Sequence, residues 1–362
     1  MAFEATKREW SELYIFFRLL TDGAVSVARI DNTSHTEDKY PIVYIQREEH
    51  DGTRRYHIQE TEVLIQGENI DQRVPREDFA IVAELILEAM RTTQENDVSA
   101  TEEIEAFLDA VAIYDLAAHT EDRTDMFICF YNAEMPPIGM VVHSLIGGAT
   151  MPLLDGGRSA NFKFEQTGVK FPSPTVHKIN CEGGEEDVMA RMLMIERLGG
   201  ALKYNDVADK IFRSNLSLID LHAGRLFGEM VRCMWVEGIT KVSELTEALK
   251  ALNPLKIKEE LISKHGYYEY KVKELLLALA QGMRPAKLYN GKETAIGGML
   301  ILTGKGEVLC LNKWNRQHWA DYLYHNTRLL KGSTEKDKYG YLEKENGVYY
   351  FKLNLKIGLV KR

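Results

Sequence analysis

The sequence predicts an α/β protein with a central mixed sheet flanked by helices, a helical insertion and closing C-terminal hairpins. Three observations carry this reading. Residues 126–131 (Met-Phe-Ile-Cys-Phe-Tyr) and 139–144 (Gly-Met-Val-Val-His-Ser) are too apolar to keep a solvent side, so they read as strands buried on both faces at the centre of a sheet. Residues 186–282 follow a helical period almost throughout. The chain then ends in strand-like runs punctuated by Gly304-Lys305-Gly306 and Asn346-Gly347, which are hairpin turn signals.

Each element follows from local pattern. Trp10, Leu13, Phe17 and Leu20 recur at helical spacing and Asp22-Gly23 stops the run, predicting an amphipathic first helix with Glu9 and Glu12 a turn apart. β-rich runs at 41–46 and 55–65 flank Asp51-Gly52 and predict a hairpin. Two acidic helices are expected at 76–92 and 101–118. After the two apolar strands comes a glycine-rich loop, Gly147-Gly148 to Gly156-Gly157, and a strand at 161–165. Helical segments are expected near 204–236, 241–251, 257–265 and 268–281, followed by a hairpin at 298–311 and a helix near 315–325. These elements suggest three parts: a core over 1–185, a helical subdomain over 186–285, and a mixed segment over 286–362 that returns to the core. The helical part alone would also suit a protein-interaction module.

Composition narrows the functional classes. With 362 residues, 45% hydrophobic and 27% charged, the chain is too apolar for a disordered protein. It has no run near the ~20 apolar residues of a membrane span. The N-terminus lacks the basic-then-apolar order of a signal peptide, so a cytoplasmic location is expected. The four cysteines form no CxxC and the histidines no HxxxH, which argues against structural zinc. The glycine-rich loop does not form GxGxxG, so a dinucleotide fingerprint is unsupported. The net charge of −9 is unsuited to a protein that coats nucleic acid. Yet residues 250–362 hold 21 Lys+Arg against 11 Asp+Glu, and residues 1–249 hold 24 against 43. A polyanion would therefore meet the C-terminal third.

The chemistry concentrates around Asp125, at the mouth of one apolar strand, and His143 on the next. Alternation puts Val141 and His143 on one face. With Glu9 or Glu12 brought by the first helix, this outlines a site for a hard cation such as Mg²⁺, held by one or two carboxylates with the rest left to water and phosphate. Such an ion would acidify a water for attack on a phosphodiester. The plain alternatives are a strand-start aspartate, a solvated helix face and a buried histidine. For the C-terminal basic and aromatic mixture, Lys313, Trp314, Arg316 and Arg328, phosphate contact is the functional reading. Arg158, Ser159 and Asn161 follow the glycine loop and could reach phosphates or base edges.

At these residues the sequence resembles the HpaII-type type II restriction endonucleases, of the PD-(D/E)XK nuclease superfamily. The resemblance touches three collinear blocks: Glu9-Trp10-Ser11-Glu12-Leu13-Tyr14 with Asp22-Gly23; Thr124-Asp125, Gly139 to Ser144 and Ala149 to Phe162; and Asp321 to Arg328 with Lys344-Glu345-Asn346-Gly347 to Leu355. It implies a PD-(D/E)XK nuclease core and Mg²⁺-dependent, sequence-specific cleavage of double-stranded DNA, with a cognate DNA methyltransferase protecting host sites. It also implies that Asp125 binds the metal and that Glu9 or Glu12 supports it. Two positions depart from the pattern: His143 stands where a catalytic lysine is expected, and Val141 where an acid is. His143 could serve as a general base or a ligand, and Lys163 or Glu165 could supply the missing functions. A nuclease-fold DNA-binding protein that has lost catalysis is the alternative. Cleavage of a palindromic site favours a homodimer.

Overall fold

The computed structural model describes residues 3–33, 38–116, 124–147, 152–184, 187–292 and 294–360. In the N-terminal half, β1 (Glu4–Thr6) leads into α1 (Lys7–Asp22), then β2 (Ala24–Val27), β3 (Lys39–Glu49), β4 (Gly52–Ile58), β5 (Glu62–Gln66) and β6 (Asp71–Pro75). These are followed by α2 (Arg76–Thr92), β7 (Asp97–Ser99), α3 (Glu102–Ala110), β8 (Met126–Phe130) and β9 (Ile138–Ser144). The next stretch holds β10 (Pro152–Asp155), β11 (Asn161–Thr167), α4 (Ser173–Asn180), α5 (Val188–Arg197), β12 (Ala201–Val207), α6 (Lys210–Ile219) and α7 (Ala223–Glu237). After α8 (Val242–Leu252), α9 (Glu259–Ser263) and α10 (Tyr267–Ala280) the chain forms β13 (Ile296–Leu302), β14 (Val308–Asn312), α11 (Arg316–Asn326) and β15 (Thr327–Leu330). It ends with α12 (Thr334–Asp337), β16 (Leu342–Glu345), β17 (Val348–Asn354) and β18 (Lys356–Leu359).

The α/β class holds, and the principal sheet is mixed. Its order is β2-β14-β13-β9-β8-β3-β4-β5-β6, and β2 also pairs with β3, so six of its strands close into a barrel. β13 runs parallel to β9 and β14 parallel to β2, while the other pairs are antiparallel. Closure leaves these strands no free edge. Two smaller sheets, β12-β11-β17-β16 and β10-β18-β15, join the middle of the chain to its end.

Two apolar cores result. One packs α1, α2 and α3 on the barrel and its β4–β6 extension, through Leu13, Phe17, Phe79, Met140 and Val142. The other joins α5–α8, α10, α11 and the smaller sheets. β13 serves both, since Leu300 and Leu302 belong to the first and Met299 and Ile301 to the second. Period-two alternation makes one strand a wall between two cores. Gly139 lets β9 approach its neighbours, because a Cβ there would overlap the Ala295 carbonyl oxygen and the Thr124 methyl.

Several boundaries differ from the sequence expectation. The run 55–65 is two strands, β4 and β5, reversed at a tight turn where Gln59 N–H bonds Glu62 O at 2.9 Å. The expected helix over 204–236 is a strand and two helices: β12 pairs with β11, Asp209 caps α6, and Asp220 accepts the His222 N–H at 2.8 Å between α6 and α7. The apolar pattern runs through these breaks, so periodicity alone misses them. Of the expected helix over 101–118, α3 forms the first part and residues 117–118 lie outside the described residues, as do 148–151 of the glycine-rich loop.

Candidate active site

The β8–β9 hairpin positions the first two candidates. Asp125, just before β8, donates its backbone N–H to Met140 O at 2.9 Å, and its carboxylate accepts the Val142 N–H at 2.5 Å. The side chain is thus fixed across the mouth of the hairpin. On β9, Met140 and Val142 belong to the N-terminal core, and Val141, Val142 and His143 border a cavity of about 420 Å³. That cavity brings together Asp125, His143, Arg8 from the first turn of α1, Asp155 at the end of β10, and Arg284 after α10. Leu279, Ala280 and Ile296 form its apolar wall.

Burial sets the electrostatics. Asp125 is only 9% exposed, and desolvation raises its carboxyl above the usual carboxylate value; the Val142 N–H and the charges of Arg8 and Arg47 pull it partly back. His143 is 6% exposed, and burial pushes it down to about 4, with Arg8 and Arg284 adding in the same direction. Its imidazole is therefore uncharged near neutrality and weak as a general base, although its Nδ1 is buried with no hydrogen-bond partner.

Glu12 and Glu9 sit on different sides of the problem. Glu12, 3% exposed, lies 3.7 Å from Arg47, whose guanidinium is fully buried and also pairs with Glu49 at 3.2 Å. Tyr56 donates to the same Glu49 at 2.8 Å, and Arg47 reaches the Asp115 and Leu116 carbonyls. Glu12 is linked to Asp125 through the Arg47 charge, which acts on both. Glu9 closes a capping box: its carboxylate accepts from Thr6 N at 2.8 Å and Thr6 Oγ1 at 2.6 Å. Neither glutamate borders the cavity.

The remaining candidates lie elsewhere. Lys163 pairs with Glu345 at 2.5 Å and sits over the Tyr350 ring, and Glu165 stands opposite Tyr350 and Lys203 in the β12-β11-β17 ladder. Asn161 is 2% exposed; it donates to Asp337 O and Lys338 O and accepts from Asn354, which joins β11 to the C-terminal turn and leaves its amide no base edge to read. Arg158 is exposed and Ser159 half-buried. Lys313 and Arg316 border a second hollow of about 390 Å³ with Tyr289, Lys292 and Trp314, where Glu274 clamps Arg316 through two bonds of 3.0 and 2.8 Å. Arg328 is half-buried on β15.

Among the described residues, no three His, Cys, Asp or Glu side chains cluster as a metal site. A larger hollow of about 900 Å³ holds Asp31, Asp38 and His318. Its acids are committed, Asp31 to Thr33 and Asp38 to Arg29, and His318 bonds the Ala28 carbonyl. The Asp125 cavity is the better candidate because Asp125 itself has no ion-pair partner among the described residues, although Asp155, which also borders it, is paired with Lys356 at 2.6 Å. The sequence reading missed three of its members, Arg8, Asp155 and Arg284. Only Arg8 left a trace, as a cation in the first turn of a helix, where the dipole disfavours it.

A model of the HpaII restriction endonuclease family matches residues 6–359. The chain is 28% identical over 360 residues to the type II restriction enzyme HpaII of Haemophilus parainfluenzae, which covers 98% of each chain. No solved structure matches.

Proposed function

The chain belongs to the HpaII restriction endonuclease family, and from that premise we propose that it is a type II restriction enzyme cutting double-stranded DNA at a specific sequence with Mg²⁺. The observation that carries this reading is the end-to-end family match, with Asp125 fixed at the mouth of the cavity that His143 also borders. We read β8, β9, the parallel strand β13 and α1 as a PD-(D/E)XK-type core, with barrel closure as its elaboration in this chain.

The donor set fits a hard cation. Mg²⁺ takes one or two carboxylates and keeps several waters, and the cavity offers Asp125, whose buried charge lacks a close cation; Asp155, which also borders it, is held by Lys356 at 2.6 Å. When bound, Mg²⁺ would acidify a water and neutralise charge on the phosphate. Asp125 would hold the ion, and the uncharged imidazole of His143 would border the attacking water. The water oxygen bonds to phosphorus and loses its proton to solvent; one P–O ester bond breaks, and the departing alkoxide takes a proton. Glu12 acts through Arg47 as a positioning group. Lys313, Arg316 and Arg158 are proposed phosphate contacts in the basic C-terminal third and the adjoining turn. A homodimer would present two such centres to a palindromic site, and a cognate methyltransferase would protect host DNA. The three-part division (1–185, 186–285, 286–362) and a cytoplasmic location remain parts of this proposal; no helix among the described residues is long and apolar enough to cross a membrane.

A second reading, a nuclease-fold DNA-binding protein without catalysis, draws on Val141 and the uncharged His143 in place of an acid and a lysine. Digesting a plasmid of known sequence separates the two. Discrete fragments with Mg²⁺ or Mn²⁺, lost on adding EDTA, are expected. A gel shift without cleavage across a range of pH favours the second reading, and neither binding nor cleavage would remove both.

A further inference from the structure

Hydrolysis of a phosphodiester builds negative charge on the non-bridging oxygens, and a fixed cation aimed at them lowers the barrier. His143, buried and uncharged, does not provide one. Two side chains bordering the cavity are cations, Arg8 and Arg284, and they differ in what else they hold. Arg284 donates through Nη1 to Leu279 O at 3.0 Å and Met283 O at 2.8 Å, which ties it to the end of α10. Arg8 makes no hydrogen bond or ion pair with another described residue. It is exposed at the second position of α1, so its five N–H donors are open to a ligand in the cavity.

Three further points converge on Arg8. Of the charged side chains, it acts most strongly on both Asp125 and His143. Its helix is rigidly anchored, by the Thr6–Glu9 capping box at the N-terminus, the Ser11–Ser144 bond of 2.8 Å to β9, and the Glu12–Arg47 pair. Finally, a cation in the first turn opposes the helix dipole, so helix stability does not explain an arginine there.

We propose that Arg8 is a catalytic residue of this enzyme, its guanidinium donating to the non-bridging oxygens of the scissile phosphate. The proposal rests on the nuclease reading. Guanidinium geometry suits a phosphate, since it donates two parallel bonds. Arg8 transfers no proton and its charge is permanent.

The experiment compares the wild type with Arg8→Gln and Arg8→Lys in single-turnover cleavage of a plasmid with Mg²⁺, alongside thermal unfolding and duplex binding in Ca²⁺. Arg8→Gln is expected to lower the cleavage rate constant by on the order of 10²- to 10³-fold. Arg8→Lys, which keeps the charge but loses the fork, should retain an intermediate rate. Duplex affinity should stay within about tenfold, roughly the loss of one phosphate contact. The melting temperature of Arg8→Gln should equal or exceed that of the wild type, because an unfavourable dipole contact is removed; a purely structural role would lower it. Wild-type cleavage with unchanged rates in both variants overturns the proposal and leaves the nuclease reading standing. Equal losses in both variants with a lowered melting temperature also overturn it. A wild type that never cuts fails the nuclease reading itself.

Discussion

Asp125 occupies a position that disfavours its own charge. The carboxylate is nine-tenths buried, one oxygen is taken by the Val142 N–H, and the nearest cations act from a distance. A buried charge without a close counterion costs stability, so this residue is poorly explained as a support of the fold and well explained as a ligand. Asp125→Asn keeps the acceptor for Val142 and removes the charge. Cleavage should fall by on the order of a hundredfold or more, while the melting temperature stays level or rises by a few degrees. Retained cleavage, or a clear loss of stability, would count against the assignment. Asp125 and His143 could be found from the sequence because strand alternation is local and puts a side chain at a strand mouth or on a face. Arg8, Asp155 and Arg284 could not, since they come from a helix turn, a strand end and a post-helical loop that only tertiary folding gathers. Lys163 and Glu165 carried the right chemistry on a strand whose partners, Glu345 and Lys203, are set by pairing across long sequence separations.

At the scale of elements, α1 shows why a functional-looking acid can have local work. Thr6 and Glu9 close a reciprocal cap at the N-terminus and Gly23, left-handed at φ 65°, closes the other end. Between them the helix sets the direction of Arg8, Ser11 and Glu12 toward the barrel. Thr6→Ala should destabilise the protein by about 1 kcal/mol in urea unfolding, the usual loss of an N-cap. Glu9→Gln should cut DNA at close to the wild-type rate, because an amide oxygen can accept the same Thr6 bonds. A large rate loss in Glu9→Gln with unchanged stability would move Glu9 from the cap to the chemistry. The sequence carries the helix and its stop clearly, since capping and period are local signals. It hides the division of 204–236, where a three-residue link, Asp220 to His222, separates two helices whose apolar faces continue one pattern.

Over the whole molecule, the organising feature is a barrel whose strands come from both ends of the chain. β2 lies beside β14, pairing Ser26 with Leu309 and Val27 with Cys310, and β9 lies beside β13. Parallel pairing at such separation needs no shared turn and leaves no local trace, so apolar runs at 139–144 and 298–311 announced buried strands without announcing that they are neighbours. Closure also couples the acidic N-terminal part, which holds Asp125, to the basic C-terminal third, so charges that cancel poorly along the sequence meet in one body. The consequence is energetic as well as geometric. Leu300 belongs to the core of α1 and α2, and its neighbour Ile301 to the core of α7 and α10; both are fully buried on the same strand. If β13 is a wall common to both cores, neither can melt and leave the other intact. Leu300→Ala and Ile301→Ala should each cost roughly 2–5 kcal/mol, and each should shift the same single transition in calorimetry, seen alike by tryptophans of the first core (Trp10) and the second (Trp235, Trp319). Two resolved transitions, with Leu300→Ala moving one and Ile301→Ala the other, would mean that the cores fold as separate domains despite the strand they share.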